Sequence, residues 1–298
     1  MSKAVSSPIL DAARGRVILF DGGLGSELIR NGLPQGVAPE AWNIDRPDVV
    51  TGIHREYFRA GADVVTTNSF GGSPIKLAGY GLEGRADALN GAAARLAASV
   101  RPEGRFVAGS IGPTGKFLKP QGEYEPGDFE KAFAVQAGAL NREGVDFLII
   151  ETMYDLQEAL CAVRAARASA PERPVFATLT FNRSPRGFFT LMGDAVVKCA
   201  RALEEAGAAA VGANCTLDSA AMADLVGEFR AATSLPVIAQ PNAGQPILTA
   251  DNRVTYSQGV EEYVSHLPRI VANGARFVGG CCGTNPDYIR RMAEILKS

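Results

Sequence analysis

The chain has 298 residues, of which 46% are hydrophobic and 21% charged, and its formal net charge is −2. That balance is too apolar for a disordered chain, and too close to neutral for general attraction to nucleic acid or an acidic membrane surface. No apolar run approaches the roughly 18 residues that span a bilayer.

From the amino end, residues 1–11 lack the apolar core of a signal peptide, so a cytoplasmic location is expected. Apolar, β-branched-rich runs then predict strands at 17–20, 63–67, 105–110, 145–150, 174–181, 208–213, 236–239 and 276–278. Segments with helical spacing lie between them, at 48–60, 85–100, 128–143, 155–170, 194–206, 219–233, 260–273 and 286–296. Gly61, Gly144, Gly207 and Gly274 follow four of these, where a helix C-cap needs a left-handed residue. Continuous apolar strands alternating with amphipathic helices mean parallel pairing with both sheet faces covered. Eight such units without a break in composition predict a single (β/α)₈ TIM barrel, one domain over residues 1–298. A doubly wound sheet is the alternative. However, Gly22-Gly23-Leu24-Gly25-Ser26 lacks the glycine spacing of a dinucleotide cradle and reads as a backbone-exposing turn.

Active sites of this fold sit at the carboxyl ends of the strands, so the residues there matter most. Asp21 and Glu151 each end a strand, and acidic residues are rarely buried without a partner. They predict either a pocket for a cation such as an α-ammonium, or salt bridges to arginines at the mouth or capping of the loops that follow. Asn68 opens a loop of small residues, and Ile111-Gly112-Pro113-Thr114-Gly115 after Ser110 is another. Their backbone N–H groups are candidates for holding a carboxylate. Cys215 ends the sixth strand, Asn242 follows the seventh, and Cys281 and Cys282 follow the eighth. Three thiols on one barrel mouth, in a compartment where disulfides are rare, point to a thiolate-bound metal, zinc by preference. Neighbouring residues of a regular strand face opposite ways, so Cys281 and Cys282 share a metal only if the backbone departs from that geometry. Gly279, Gly280 and Gly283 permit the departure. A vicinal redox disulfide is the rival, but it leaves Cys215 unexplained. Cys161 and Cys199 fall in helical patterns and read as small buried hydrophobes. His54 and His266, the only histidines, also fall in helices and read as outward-facing. Their absence from the strand ends argues against a histidine-dependent hydrolase.

Taken together, these motifs resemble the homocysteine S-methyltransferase family. The matching pieces are Phe20-Asp21-Gly22-Gly23-Leu24-Gly25-Ser26-Glu27, Thr67-Asn68-Ser69-Phe70-Gly71, Gly109-Ser110-Ile111-Gly112-Pro113-Thr114-Gly115, Glu151-Thr152, Gly212-Ala213-Asn214-Cys215 and Gly279-Gly280-Cys281-Cys282-Gly283-Thr284. The resemblance runs in order from Val17 to Leu296. It implies a zinc-dependent methyltransferase making methionine, with Cys215, Cys281 and Cys282 as protein thiolates and homocysteine sulfur in the fourth position. It further implies that Asn242 fills that position without substrate, as in the cobalamin-dependent methionine synthase branch. Asp21 and Glu151 match the carboxylates that hold the homocysteine ammonium, and the amides of Ser110, Ile111 and Gly112 would meet its carboxylate.

The methyl donor implied by Asn242 and Thr152 is a methylated corrinoid protein. Trp42, the only tryptophan, suggests instead the betaine branch, where aromatic rings cage a quaternary ammonium. Simple packing of Trp42 is the competing explanation, and a third donor, S-methylmethionine, belongs to a branch whose loop patterns match less well. Because the chain closes after the eighth helix, a separate corrinoid protein is the expected partner, and a monomer or small homo-oligomer the expected state. A non-catalytic zinc-binding protein and a dithiol redox protein are the readings from other classes.

Overall fold

The structure, a computed structural model, describes residues 7–249 and 254–297. Its strands are β1 (Ile18–Leu19), β2 (Val64–Thr66), β3 (Phe106–Ile111), β4 (Phe147–Met153), β5 (Val175–Leu179), β6 (Asn182–Ser184), β7 (Gly187–Phe189), β8 (Ala210–Asn214), β9 (Val237–Gln240), β10 (Pro246–Leu248), β11 (Val254–Tyr256) and β12 (Ala275–Val278). Eight of them form one parallel sheet in the order β1-β12-β9-β8-β5-β4-β3-β2. A further parallel bridge, Phe20 to Val64, brings β1 back onto β2, and the Asp63 N–H donates to the Leu19 carbonyl beside it. The sheet is therefore closed, and the fold is the expected (β/α)₈ barrel. Each of the eight predicted strands is present, within a few residues of its expected bounds.

Two faces of each strand are buried for different reasons. Ile18, Phe20, Phe106, Phe147, Phe176, Ile238 and Phe277 fill the barrel interior, while the residues between them pack under the helices. Four of the interior rings touch in a closed set: Phe20 with Phe147 and Phe277, and Phe176 with the same two, at centroid separations of 4.5 to 6.1 Å. Phe176 is fully buried among them. Phe176→Ala is therefore expected to cost about 3–5 kcal/mol of stability, read as a lower midpoint in urea denaturation at unchanged slope. A loss below about 1 kcal/mol would mean that the layer collapses around the gap.

The helix Pro8–Gly15 has no counterpart in the sequence reading. It turns Ile9 and Ala13 into the same interior cluster and closes the amino-terminal end of the barrel. Eight residues with two inward positions are too short a pattern to stand out as periodic. Segment 260–273 divides into Val260–Ser265 and Leu267–Ala272, since Pro268 enters at the second helical position. His54 is a correction: it is fully buried on the inner face of the helix Pro47–Ala60, and burial lowers its pKa to about 4. Among the described residues no helix is long and apolar enough to cross a membrane.

Candidate functional site

The thiol cluster is assembled by the backbone beyond three neighbouring strands. The Cys215 N–H donates to the Gln240 carbonyl, and Cys281 N–H donates to Pro241, at 3.0 and 2.9 Å. The Ala243 N–H in turn donates to the Cys282 carbonyl at 3.0 Å. The segment leaving β9 is thus stitched to both cysteine segments and fixes the distance between them. After β12 the chain leaves regular strand geometry, as the paired cysteines require. Gly280 lies so close to Thr284 that an added Cβ would fall 2.2 Å from its hydroxyl oxygen. Gly283 takes a left-handed φ of 83° under the ring of Tyr256. Cys215 and Thr216 are left-handed without being glycine, at φ 61° and 52°. Such strain costs about 1–3 kcal/mol per residue and collects where a site demands a fixed geometry.

The result is three sulfurs within 4.8 Å of one another, with Cys215 and Cys282 separated by 3.7 Å. Tetrahedral zinc with metal–sulfur bonds of about 2.3 Å places its sulfurs about 3.8 Å apart, so this pair has the spacing the ion needs. Asn242 is buried beside them and its amide hydrogen-bonds the Cys215 thiol. Its Oδ1 has no hydrogen-bond partner in the protein. A buried, unpartnered acceptor next to three thiols fits a missing cation. Electrostatics agree: hydrogen bonds from Cys281 and Cys282 hold the Cys215 thiol well below the usual thiol range, and the bond to Cys215 pushes the other two up. The three thiols are thus strongly coupled, and a bound divalent ion would let all three ionise. Cys161 and Cys199, by contrast, are free and buried under helices, their thiols raised to about 11 and 12 by desolvation.

Across the mouth, Asp21 is fully buried and accepts bonds from the Thr66 N–H at 2.7 Å and hydroxyl at 3.1 Å. Burial raises its pKa well above the carboxylate range, against the pull of Thr66, and nearby Glu151 raises it further. Glu151 takes a hydrogen bond from the Ser110 hydroxyl, and burial pushes it up to about 7. Neither carboxylate has a cationic partner among the described residues. Among the described residues neither carboxylate is paired with an arginine, and Asp21 instead caps the Thr66 N–H.

Other expected residues are placed differently. Ser110 N–H already donates to Thr67 Oγ1, and Gly112 N–H to the Phe70 carbonyl. Ile111 lies in the core under the helices. The Ser110 and Gly112 N–H groups thus have partners within the chain, and the Ser110 hydroxyl meets Glu151. The Asn68 side chain donates to the Pro39 carbonyl and to Asn43 Oδ1, which fastens the long first loop. Trp42 is buried in the core with the Arg46 guanidinium 5.2 Å over its ring. That ring already carries a cation of its own chain, and packing accounts for it. Thr66, Thr178 and Tyr256 do not stand out in the sequence, and Asn214 does so only as part of the Gly212-Ala213-Asn214-Cys215 motif, with no role of its own. Asn214 immediately precedes Cys215 at a strand end, which is the one signal that could have flagged it.

A cavity of 1030 Å³ opens at the opposite, amino-terminal face, lined by Arg16, Asp63, Arg105 and Leu267 among others. Its Asp63 is paired with both arginines, and it holds none of the thiols. Size alone therefore does not mark the chemistry here.

Residues 18–296 match the family model described as homocysteine S-methyltransferase. The chain is 33% identical to the methionine synthase of Mycobacterium tuberculosis and 32% identical to that of Mycobacterium leprae, over 97% of its own length. It spans only 25% of each of these relatives. Among solved structures it resembles the metallated form of the homocysteine methyltransferase MmuM of Escherichia coli, with a TM-score of 0.81 at 24% identity. That match covers 97% of this chain and 100% of the other. The apo form of the same enzyme matches with a TM-score of 0.74 at 23% identity, covering 96% and 98%.

Proposed function

The chain belongs to the homocysteine S-methyltransferase family, and on that premise we propose that it methylates the thiol of homocysteine with a methylcorrinoid protein as donor. Residues 1–298 are read as one homocysteine-binding barrel unit, which the extent of the family match supports. The observation that carries the proposal is the pairing, on one barrel mouth, of a three-thiol cluster with two carboxylates, Asp21 buried and Glu151 part-buried, that lack a cation among the described residues. An amino acid bearing a thiol supplies what each half lacks: an ammonium for Asp21 and Glu151, and a fourth sulfur beside the cysteines.

Cys215, Cys281 and Cys282 would hold zinc, with Asn242 Oδ1 as the neighbouring acceptor. Bound zinc would strip the proton from the substrate thiol at neutral pH and leave its sulfur nucleophilic. The chain's own contribution is orientation. Asp21 and Glu151 fix the ammonium, the barrel walls limit the side chain's path, and the sulfur faces the open mouth for in-line approach of the methyl carbon. A carbon–sulfur bond forms as the donor's bond to methyl breaks, the donor keeping the electron pair. No protein base is required at that step, and no histidine lies at the mouth: His54 is buried in an outer helix, and His266 bonds Ser219.

Three placements support a corrinoid donor over betaine. Asn242 occupies the position the resemblance assigns to that branch, and its Oδ1 is unpartnered. Thr152, which stands where the betaine branch has a tyrosine, has its hydroxyl tied to Asn214 at 2.7 Å. The Trp42 ring is covered by Arg46. Zinc-loaded, reduced protein given homocysteine is therefore expected to form methionine with methylcobalamin and none with betaine as sole donor. Turnover with betaine alone would overturn the donor assignment.

A further inference from the structure

The amide of Asn214 touches both halves of the site. It stands at the end of β8, 1% exposed. Its Oδ1 accepts from the Thr152 N–H and from the Thr178 hydroxyl, each at 2.8 Å. Its Nδ2 donates to Thr152 Oγ1 at 2.7 Å and lies 3.4 Å from Glu151 Oε2 and 3.7 Å from Cys281 Sγ. One carboxamide thus spans a carboxylate of the ammonium pocket and a thiol of the cluster.

We propose that Asn214 is a positioning residue that sets the spacing between the ammonium pocket and the thiol cluster, so that the site favours thiols carrying an α-ammonium over plain alkanethiols. This rests on the reading of Asp21 and Glu151 as that pocket. The backbone supports it independently. Thr152, directly after Glu151, is left-handed at φ 60°, and Cys215, directly after Asn214, at φ 61°. A non-glycine residue holds that conformation only where its surroundings enforce it. Asn214 grips Thr152 by both its N–H and its hydroxyl, and so fixes the direction in which the Glu151 carboxylate leaves the chain. The strand is paired through its backbone at this position, Asn214 opposite Gln240.

The distinction can be read without methyl transfer. In cobalt-loaded protein, the sulfur-to-metal absorption band reports binding of homocysteine and of 1-propanethiol, which has no ammonium. Asn214→Ala is expected to raise the Kd for homocysteine by about tenfold or more beyond any change for 1-propanethiol. Asn214→Asp keeps the acceptor bonds from Thr152 and Thr178 but loses every donor, and places a second carboxylate by Glu151. It should lose the preference more completely, and it carries the test if the alanine variant does not fold. Equal weakening for both thiols, or no change for either, would overturn the inference. If the unaltered protein itself binds the two thiols alike, the ammonium pocket fails and this inference falls with it.

Discussion

Cys215→Ala, Cys281→Ala and Cys282→Ala are each expected to lose bound zinc and methyl transfer together. The cluster is held at one spacing by the segment that leaves β9, so no other thiol can move in to replace a missing one. Cys161 and Cys199 are buried under helices and cannot substitute. Removing a ligand should exceed the roughly 10- to 100-fold loss typical of changes just outside a metal's ligand set. Zinc content by atomic absorption and methionine formation on the same preparation decide the matter. Full zinc occupancy with normal turnover in any of the three would remove that cysteine from the site. A redox dithiol would behave otherwise, with Cys215→Ala silent and the Cys281 and Cys282 changes effective.

The second large effect concerns the carboxylates. Glu151→Gln removes a negative charge from a part-buried pocket in which no cation among the described residues competes for it. Affinity for amino-acid ligands should fall by about 10- to 150-fold, the equivalent of about 1.5–3 kcal/mol for a hydrogen bond to a charged group, while zinc content is retained. The pH dependence has a definite sign. Burial raises Glu151 to about 7 and raises Asp21 as well, so as pH falls both carboxylates lose the charge that an ammonium would meet. Binding of norleucine, which has the amino-acid end but no thiol, should tighten as pH rises through about 7 and level off above it. Glu151→Gln should remove the part of this rise centred near pH 7 and leave only that due to Asp21. An unchanged norleucine Kd in Glu151→Gln would take the residue out of the pocket.

What was legible in the sequence follows from how local each signal is. Buried parallel strands write themselves as continuous apolar runs, and helix ends show as glycines, so all eight barrel strands could be placed. The cysteines stood out because chemistry at strand ends is concentrated on one face of this fold. Partnering, in contrast, is decided by tertiary contacts. The amides of Ser110 and Gly112 look free in a glycine-rich loop, but Thr67 and Phe70, brought in from the next loop, occupy them. Trp42 looks available until Arg46 folds over it. His54 reads as outward because a histidine in a polar-looking helix gives no hint of which face it occupies. Asn214 was hidden for a different reason: its role depends on the left-handed turns at Thr152 and Cys215, and no residue type at those positions announces them.

The central claim is that the protein's three thiols and one substrate thiol share a single ion. The direct measurement is X-ray absorption at the zinc edge, with and without homocysteine. Three sulfurs around zinc in the resting protein, rising to four with homocysteine and unchanged with homoserine, is the predicted result. A sulfur count that stays the same when homocysteine is bound would contradict the account.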